Sequence, residues 1–277
     1  MSLQLLMRSK KFLIGMGILL FFIGLAVIVP WFLPDPKTMD PKLQWKPPST
    51  ERLLGTDLFG RDVLSLFFNV MNMSLRIGTI AGLISTVVGV VIGAIAGYRG
   101  GSMDEILMSI TNIMLVIPSL ALLIVLAAFL KMRNEMLMAA IIGFTSWPWT
   151  ARSIRSQTLS LKSREFIELS RMSGLSELKI IFQDVLPNMF SYVFMCFALQ
   201  MANGILSETA LSMIGLGPTD VVSLGMMLRW ALLWETVRLG YWWVFIPVTV
   251  AVTLLTTSLL LINTGMDEMF NPRMRKL

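Results

Sequence analysis

Between long apolar segments lies a short charged stretch, Arg164-Glu165-Phe166-Ile167-Glu168-Leu169-Ser170-Arg171-Met172-Ser173-Gly174-Leu175, followed by Leu186-Pro187. Glutamate in a first turn complements the helix dipole, and glycine ends helices because it reaches the left-handed conformation without steric cost. The stretch therefore predicts a helix capped by Ser163, a turn at Gly174, and a second helix that Ser176 caps and Leu186-Pro187 stops. Three roles fit such a rigid hairpin: a structural connector, a helix that lies on the lipid surface, or a docking element that a soluble protein receives. Its mixed charges argue against lipid and favour a protein partner.

Composition points to a membrane protein with several spans. Hydrophobic residues make up 55% of the chain and charged residues 14%, and the mean hydropathy is +0.74, far from the values of soluble domains. The net charge of +6 comes from connecting segments, where basic residues orient membrane proteins, so nucleic acid is not an expected partner. Histidine is absent and Cys196 is the single cysteine, which argues against a membrane enzyme, a resident metal and an internal disulfide.

Candidate membrane-spanning helices, which need about 20 apolar residues, occur six times along the sequence. They are Phe12–Phe32, Leu75–Tyr98, Glu105–Leu130, Met136–Trp149, Met189–Ser207 and Tyr241–Asn263. The fourth is the weakest, and Trp147-Pro148-Trp149 is expected to mark its exit from the membrane because tryptophan prefers the interface.

Basic residues predict the orientation of these spans. With the N-terminus in the cytoplasm, the alternation of spans leaves a cluster of basic side chains on the same side, which satisfies the positive-inside rule. The cluster comprises Arg99, Arg152, Arg155, Lys162, Arg164, Arg171, Lys179, Arg273, Arg275 and Lys276. We therefore expect a multi-pass protein of the inner (cytoplasmic) membrane with both termini in the cytoplasm.

Small and polar residues recur within two of the spans. In the second span, glycines line one helix face and predict close helix packing rather than a pore; they are Gly78, Gly82, Gly89, Gly93 and Gly97. The fifth span carries a polar stripe of Cys196, Gln200, Asn203 and Ser207, with Glu208 just beyond it. Polar groups in hydrocarbon need partners or water, so the stripe faces either a neighbouring helix or a hydrated pathway. Lesser candidates on the same argument are Asn112, Ser119, Thr253 and Thr257.

Three stretches together resemble the permease subunits of ABC importers for dipeptides, oligopeptides and nickel. The first is Leu54-Gly55-Thr56-Asp57-Leu58-Phe59-Gly60-Arg61-Asp62-Val63-Leu64-Ser65, ahead of Ser74-Leu75-Arg76-Ile77-Gly78. The second is the charged stretch, in which Glu168-Leu169-Ser170 stands where the family has Glu-Ala-Ala and Gly174 matches its glycine. The third is Glu208-Thr209-Ala210-Leu211-Ser212-Met213-Ile214-Gly215-Leu216-Gly217. The tail, Gly265 to Arg273, departs from the family's pattern and supports no functional assignment.

The resemblance implies a fold and a set of partners. The fold is an all-α integral membrane protein with six transmembrane helices, the type I (MetI-like) importer permease. Residues 1–70 would form an anchor helix and an extracytoplasmic segment, and residues 71–277 the core, with a cytoplasmic coupling loop at about 151–187. The implied partners are a homologous second permease, two cytoplasmic ATPases that bind ATP and Mg, an extracytoplasmic solute-binding protein and the lipid bilayer. This chain needs no cofactor, and it has no Gly-rich phosphate loop of the Walker kind.

The resemblance also assigns roles to three groups of residues. Coupling to the ATPases falls on Glu165, Glu168, Leu169, Ser170, Gly174 and Leu175. The extracytoplasmic motif is Gly55, Thr56, Asp57, Gly60, Arg61 and Asp62, whose charged members either pair across a short helix and brace the entrance or contact the binding protein. Candidates for the translocation pathway are Asn112, Gln200, Asn203, Ser207 and Glu208.

Peptides are the first substrate that the resemblance implies, with oligosaccharides and nickel complexes as alternatives. Trp230, Trp234, Trp242 and Trp243 are expected to form an interfacial aromatic belt, or else to stack on sugar rings. A secondary transporter, driven by an ion gradient without ATPases, is the alternative from another class.

Overall fold

A computed structural model describes residues 9–270 of the chain. Within that range the regular secondary structure is helical apart from one isolated antiparallel bridge, between Thr56 and Asp62. The all-α prediction is therefore confirmed for these residues. The basic tail residues Arg273, Arg275 and Lys276 lie outside the described range.

Four long helices within residues 9–270 meet the length and hydropathy requirements for membrane spans. They are α1 (Lys10–Ile28, extended by a 3-10 turn over Val29–Phe32), α2 (Val63–Arg99), α8 (Phe190–Met213) and α10 (Trp242–Phe270). The helices are numbered in chain order, and α3 to α7 and α9 are described below. Each coincides, within two residues at its nearer end, with the position of one predicted apolar stretch or extends beyond it.

The predicted third span is broken, so the expectation of one continuous helix over Glu105–Leu130 was wrong. Two helices, α3 (Gly101–Val116) and α4 (Ser119–Ala128), meet at an angle of 82°. The residue before a proline is disfavoured in the helical region, and Ile117 is extended ahead of Pro118. If the bent pair counts as one span, the described residues contain up to five.

The predicted fourth span is part of a longer helix, α5 (Glu135–Lys162), which includes Pro148. The helix continues through Trp147-Pro148-Trp149, and the prediction that this cluster marks the exit from the membrane stays a prediction. Packing against α2 continues on both sides of the proline, which offsets the backbone hydrogen bond that proline removes. The second half of α5 is polar, and α5 does not meet the hydropathy requirement of a span. The hairpin therefore begins after Lys162, and the first part of the predicted coupling loop, from about residue 151, is the polar end of α5.

Other boundaries also differ from the predictions. α2 begins at Val63 instead of Leu75, so the division expected after residue 70 falls inside a single helix. α8 continues to Met213 and includes Glu208, which was expected just beyond the span. A further short helix, α9 (Leu224–Leu233), was not predicted. The added first turns of α2 bury mainly apolar side chains, and the last turns of α8 are held by the hydrogen bond between Glu208 and Ser74 of α2.

The glycines of α2 place this helix in close contact with both α5 and α8, which confirms the prediction of close packing. A Cβ atom on Gly93 would lie 2.4 Å from the carbonyl oxygen of Ala151 in α5. One on Gly82 would lie 2.8 Å from the amide nitrogen of Met201 in α8. The expectation of one common face was wrong, because each four-residue step rotates around a helix by about 40°. The glycine stripe therefore turns from α8 towards α5.

The helices run between two ends of the molecule. The end with the Gly55–Asp62 motif is here called the motif end, and the end with the hairpin of residues 163–188 the hairpin end. α1 and α10 pack antiparallel, since a Cβ on Gly265 would lie 2.5 Å from the amide nitrogen of Phe12. Lys11 also forms an ion pair with Glu268. Both limits of the described chain thus lie at the hairpin end.

Candidate functional site

The motif end is organised around a buried ion pair. The Asp57 carboxylate accepts hydrogen bonds from the Arg61 guanidinium (2.7 Å to Nε) and from the backbone amides of Phe59 (2.9 Å) and Arg61 (3.0 Å). Only 1% of Asp57 and 6% of Arg61 is exposed. The residues between them form a turn, not the short helix expected from the sequence. Gly60 has φ +70°, and a Cβ there would overlap the carbonyl oxygen of Asp40, so the turn requires glycine.

The rest of the motif joins separate helices. Asp62 caps α2 by accepting the Ser65 amide at 2.8 Å, and its other carboxylate oxygen accepts from Arg52 at 3.3 Å. Thr56 is buried, and its carbonyl accepts the Trp243 indole N–H from α10 at 3.1 Å. These contacts brace the start of α2 against α10.

The tryptophans expected as an interfacial belt take part in this bracing. The Arg61 guanidinium lies 4.6 Å from the ring centroid of Trp230, and Trp230 stacks on Trp234 with centroids 5.6 Å apart. Trp243 is buried, whereas Trp242 is exposed. Three of the four residues thus pack beneath the motif, which leaves Trp242 free to face a membrane interface.

A cavity of about 390 Å³ lies between the break in the third span, α5 and α8. Gln200 and Asn203, two members of the polar stripe, line the cavity and also bind α5. The Gln200 amide donates to the Ser146 carbonyl (3.0 Å) and to the Thr150 hydroxyl (2.8 Å), and the Asn203 amide donates to the Ser146 hydroxyl (3.2 Å). The interpretation of the stripe as interhelical hydrogen bonding is confirmed at these two residues, and their role in a pathway stays a prediction.

The remaining pathway candidates lie elsewhere, apart from Ser119, which lines the cavity. Glu208 is buried and is hydrogen-bonded to Ser212 (2.5 Å) and to Ser74 of α2 (3.3 Å). It joins helices and does not line the cavity. Cys196 is buried, Ser207 is half-buried, and Thr253 and Thr257 are exposed on α10.

On the hairpin side of the cavity, α3 is tied to α5 by polar contacts. Arg155 forms two hydrogen bonds of 2.5 Å with Asp104, and Arg152 donates to the pathway candidate Asn112 at 2.6 Å. The hydrogen bond from Asp104 raises the pKa of Arg155 above its ordinary value. The two hydrogen bonds hold α3 and α5 together in this conformation.

The first arm of the hairpin is α6 (Glu165–Met172), which ends in the predicted glycine turn. Gly174 has φ +75°; its amide donates to Arg171 (3.0 Å), and the Leu175 amide donates to Ser170 (3.3 Å). This is the Schellman pattern of helix termination, so the predicted turn is confirmed. The predicted cap was wrong, because Ser163 ends α5 and Arg164 occupies the N-cap position without a side-chain bond.

The second arm begins at α7 (Glu177–Ile180) and continues through a π turn, Ile181–Val185, to Leu186–Asn188. Ser176 precedes it as predicted, although its side chain makes no capping bond. The predicted stop at Leu186-Pro187 is displaced to Asn188, because a proline near the start of a helical turn needs no amide there.

The surface of the hairpin is apolar with acidic residues beside it. Leu169 is 63% exposed and Met172 81% exposed, and both lie on α6. Glu165 and Glu168 are exposed on the same helix, whereas Ile167 is buried and fixes α6 against the core. Groups of exposed apolar residues are typical of protein–protein or membrane interaction sites.

Comparison with known proteins agrees with this architecture. Residues 89–276 match the family described as binding-protein-dependent transport system inner membrane component. Residues 2–48 match the N-terminal TM domain of oligopeptide transport permease C.

Relatives align with almost the whole chain. It is 33% identical over 276 residues to the oligopeptide transport system permease protein OppC of Mycobacterium tuberculosis, covering 98% of this chain and 93% of the relative. For OppC of Lactococcus lactis the identity is 31% with coverage of 98% and 91%. For the dipeptide transport system permease protein DppC of Bacillus subtilis it is 30% with coverage of 98% and 84%.

These matches and the apolar helices identify a multi-pass membrane protein of the permease type. The family is a component of transport systems and not a class of enzyme. The chain belongs to the family of inner membrane components of binding-protein-dependent transport systems.

Proposed function

We propose that this chain is one of two permease subunits of an ABC importer that carries short peptides across the inner membrane. Its partners are a homologous permease, two ATPases that bind ATP and Mg, and an extracytoplasmic solute-binding protein. The observation that carries the proposal is the hairpin surface, where Leu169 and Met172 are largely exposed outside the spans. A surface of this kind, held rigidly at the ends of α5 and α8, suits docking into a soluble subunit.

The orientation follows from the charges of the two ends. The hairpin end carries Arg99, Arg164 and Lys179, so the positive-inside rule places it, together with both termini, in the cytoplasm. The motif end then faces the binding protein. The proposed six-span arrangement counts the bent pair α3 and α4 as one span and α5 as another.

Peptide transport is supported by the relatives and by the chemistry of the cavity. Three relatives carry oligopeptide or dipeptide transport in their names. The cavity lining has no charged side chain and includes the amides of Gln200 and Asn203, which can exchange hydrogen bonds with a peptide backbone without selecting its side chains. Selection by the binding protein and permissive passage through the permease fit this lining.

Coupling follows from the rigid attachment of the hairpin. When ATP binding closes the two ATPases, a hairpin docked in each moves with them and changes the tilt of α5 and α8. α3 is hydrogen-bonded to α5 through Arg155 and Arg152. A change in the tilt of α5 therefore moves α3 and opens or closes the hairpin side of the cavity.

Docking is tested by Leu169→Asp in cells that also produce the two ATPase subunits. We expect the ATPases no longer to purify with the permease, because a charge would be buried in an apolar contact. The matched control is Val237→Asp, which puts the same charge on an exposed residue at the motif end. Glu168→Ala should weaken docking or uncouple hydrolysis from uptake. Retention of the ATPases by Leu169→Asp and normal uptake by Glu168→Ala would contradict the assignment.

Substrate class is tested on the cognate binding protein, whose thermal stability rises when it binds ligand. We expect a shift with short peptides and none with oligosaccharides or nickel complexes. A shift with oligosaccharides alone would assign a different cargo to the same architecture.

A further inference from the structure

The last turn of α2 holds the hairpin from the side. Arg171, near the end of α6, donates a hydrogen bond from Nε to the Tyr98 hydroxyl at 3.1 Å, and its guanidinium lies 5.2 Å from the centroid of the Tyr98 ring. Lys162 lies over the same ring at 5.8 Å. The next residue, Arg99, binds Glu177 at the start of α7 at 2.8 Å. Both arms of the hairpin are thus attached to α2, although the chain connects them only to α5 and α8.

Of these contacts, the one with Tyr98 is the strongest. Tyr98 is buried in an apolar cluster with Ile154 and Ile167, where a cation over the ring and a charge-assisted hydrogen bond act together. The Arg99–Glu177 pair is about half exposed on both sides, and such pairs contribute little. Of the polar contacts between the hairpin and α2, the one at Tyr98 is therefore the main route by which a force on α6 reaches α2.

α2 is built to carry that force to the other end of the molecule. It is continuous over 37 residues without a proline, so it is about 55 Å long at 1.5 Å per residue. Close backbone contacts pack it against α5 at Gly93 and against α8 at Gly82. Its first residue follows Asp62, the motif residue that caps it. The hairpin and the Asp57–Arg61 bracket are thus joined by one packed helix.

We propose that Tyr98 is a positioning residue which transmits movement of the hairpin to α2, and through α2 to the motif end where the binding protein docks. This inference rests on the proposed function. It predicts that occupancy at the motif end and nucleotide state at the hairpin end influence each other through this contact, as coupling between two sites requires.

The test uses the complete importer in proteoliposomes, with its second permease, ATPases and peptide-loaded binding protein. Peptide uptake and ATP hydrolysis are measured together. For Tyr98→Leu we expect the peptide taken up per ATP to fall roughly tenfold, the size of effect that loss of a partly buried charge-assisted contact produces. Tyr98→Phe keeps the ring but not the hydroxyl, and the peptide taken up per ATP should fall about threefold. Lys179→Gln removes a hairpin charge for which the structure records no α2 partner, and should change the ratio by less than about twofold.

The ratio separates transmission from a merely structural role. A folding defect would lower the amount of complex, hydrolysis and uptake in parallel and leave uptake per ATP unchanged, which would overturn the inference. Arg171→Met should reproduce most of the Tyr98→Leu effect, and the double variant should lose no more than Tyr98→Leu, because that variant already removes the Arg171 contact. Additive losses would also overturn it. If the importer does not assemble with Tyr98→Leu, uptake per ATP in Tyr98→Phe and Arg171→Met tests the inference in its place. Absence of ATP-dependent uptake by the unaltered importer would refute the proposed function, and this inference with it.

Discussion

Asp57→Asn tests whether the charged motif braces the protein or serves the binding protein. The substitution removes the charge opposite Arg61, whose guanidinium is almost fully buried, but keeps an oxygen for the two backbone amides. Breaking a buried ion pair by neutralising one partner costs about 3–5 kcal/mol, because the other charge is left without compensation. The Trp230 ring beneath Arg61 retains about 1 kcal/mol of cation–π attraction. We therefore expect a loss of about 3 kcal/mol in the free energy of unfolding.

The assay is equilibrium unfolding of the purified permease in mixed micelles, followed by tryptophan fluorescence. Glu235→Gln is the matched control, since Glu235 pairs with Arg238 and both side chains are more than half exposed; it should cost less than about 1 kcal/mol. Arg61→Met added to Asp57→Asn should recover most of the loss, because no buried charge remains. A loss for Asp57→Asn no greater than for the control would refute the bracing argument. If Asp57→Asn has normal stability but the binding protein no longer stimulates transport, the motif serves docking of the binding protein instead.

Three further predictions concern α2, the cavity and the hairpin. Gly93→Ala should cost about 1–3 kcal/mol of unfolding free energy through overpacking against Ala151, whereas Gly17→Ala, with nothing within 4 Å, should be neutral or slightly stabilising; equal effects would contradict the packing described. Gln200→Leu removes both amide donors at the cavity, and peptide uptake should fall several-fold with ATPase docking unchanged; full uptake would remove this residue from the pathway. Gly174→Ala forces a side chain into the left-handed region at a cost of about 1–2 kcal/mol, so amide exchange in the hairpin should accelerate, and unchanged exchange would contradict the turn.

The apolar spans and the glycine turn could be predicted because their causes are local. Twenty apolar residues in succession have few environments other than a bilayer, and Gly174 needs only its own backbone freedom to end α6. The Schellman bonds then follow from that one residue. Sequence reasoning also found the close packing of the α2 glycines, since small residues four apart fall on nearly the same side of a helix.

The errors came from tertiary contacts, which local patterns do not contain. Pro118 breaks a helix and Pro148 does not, although both lie in apolar surroundings. The difference is that α5 packs along α2 on both sides of Pro148. Glu208 was proposed for the pathway because it is polar, but it is hydrogen-bonded to Ser74 of α2 and to Ser212 one turn further along α8.

Tyr98 was not singled out from the sequence, because a tyrosine at the end of an apolar helix is typical of a membrane interface. Only the fold brings Arg171 and Lys162 to its ring. The sequence did show that Tyr98 precedes a basic residue, Arg99, and that Arg99 and the basic residues of the hairpin are predicted on the same side of the membrane. That signal predicts orientation and not a contact.

The central claim is that the chain imports peptides with energy from ATP bound by its partners. The most direct measurement is uptake of a labelled short peptide into proteoliposomes that contain the complete importer, supplied with loaded binding protein. Uptake should require ATP, should not respond to a proton or sodium gradient alone, and should be lost when Leu169→Asp prevents docking. Uptake driven by an ion gradient without ATP, or by this chain without the ATPases, would contradict the account and indicate a secondary transporter.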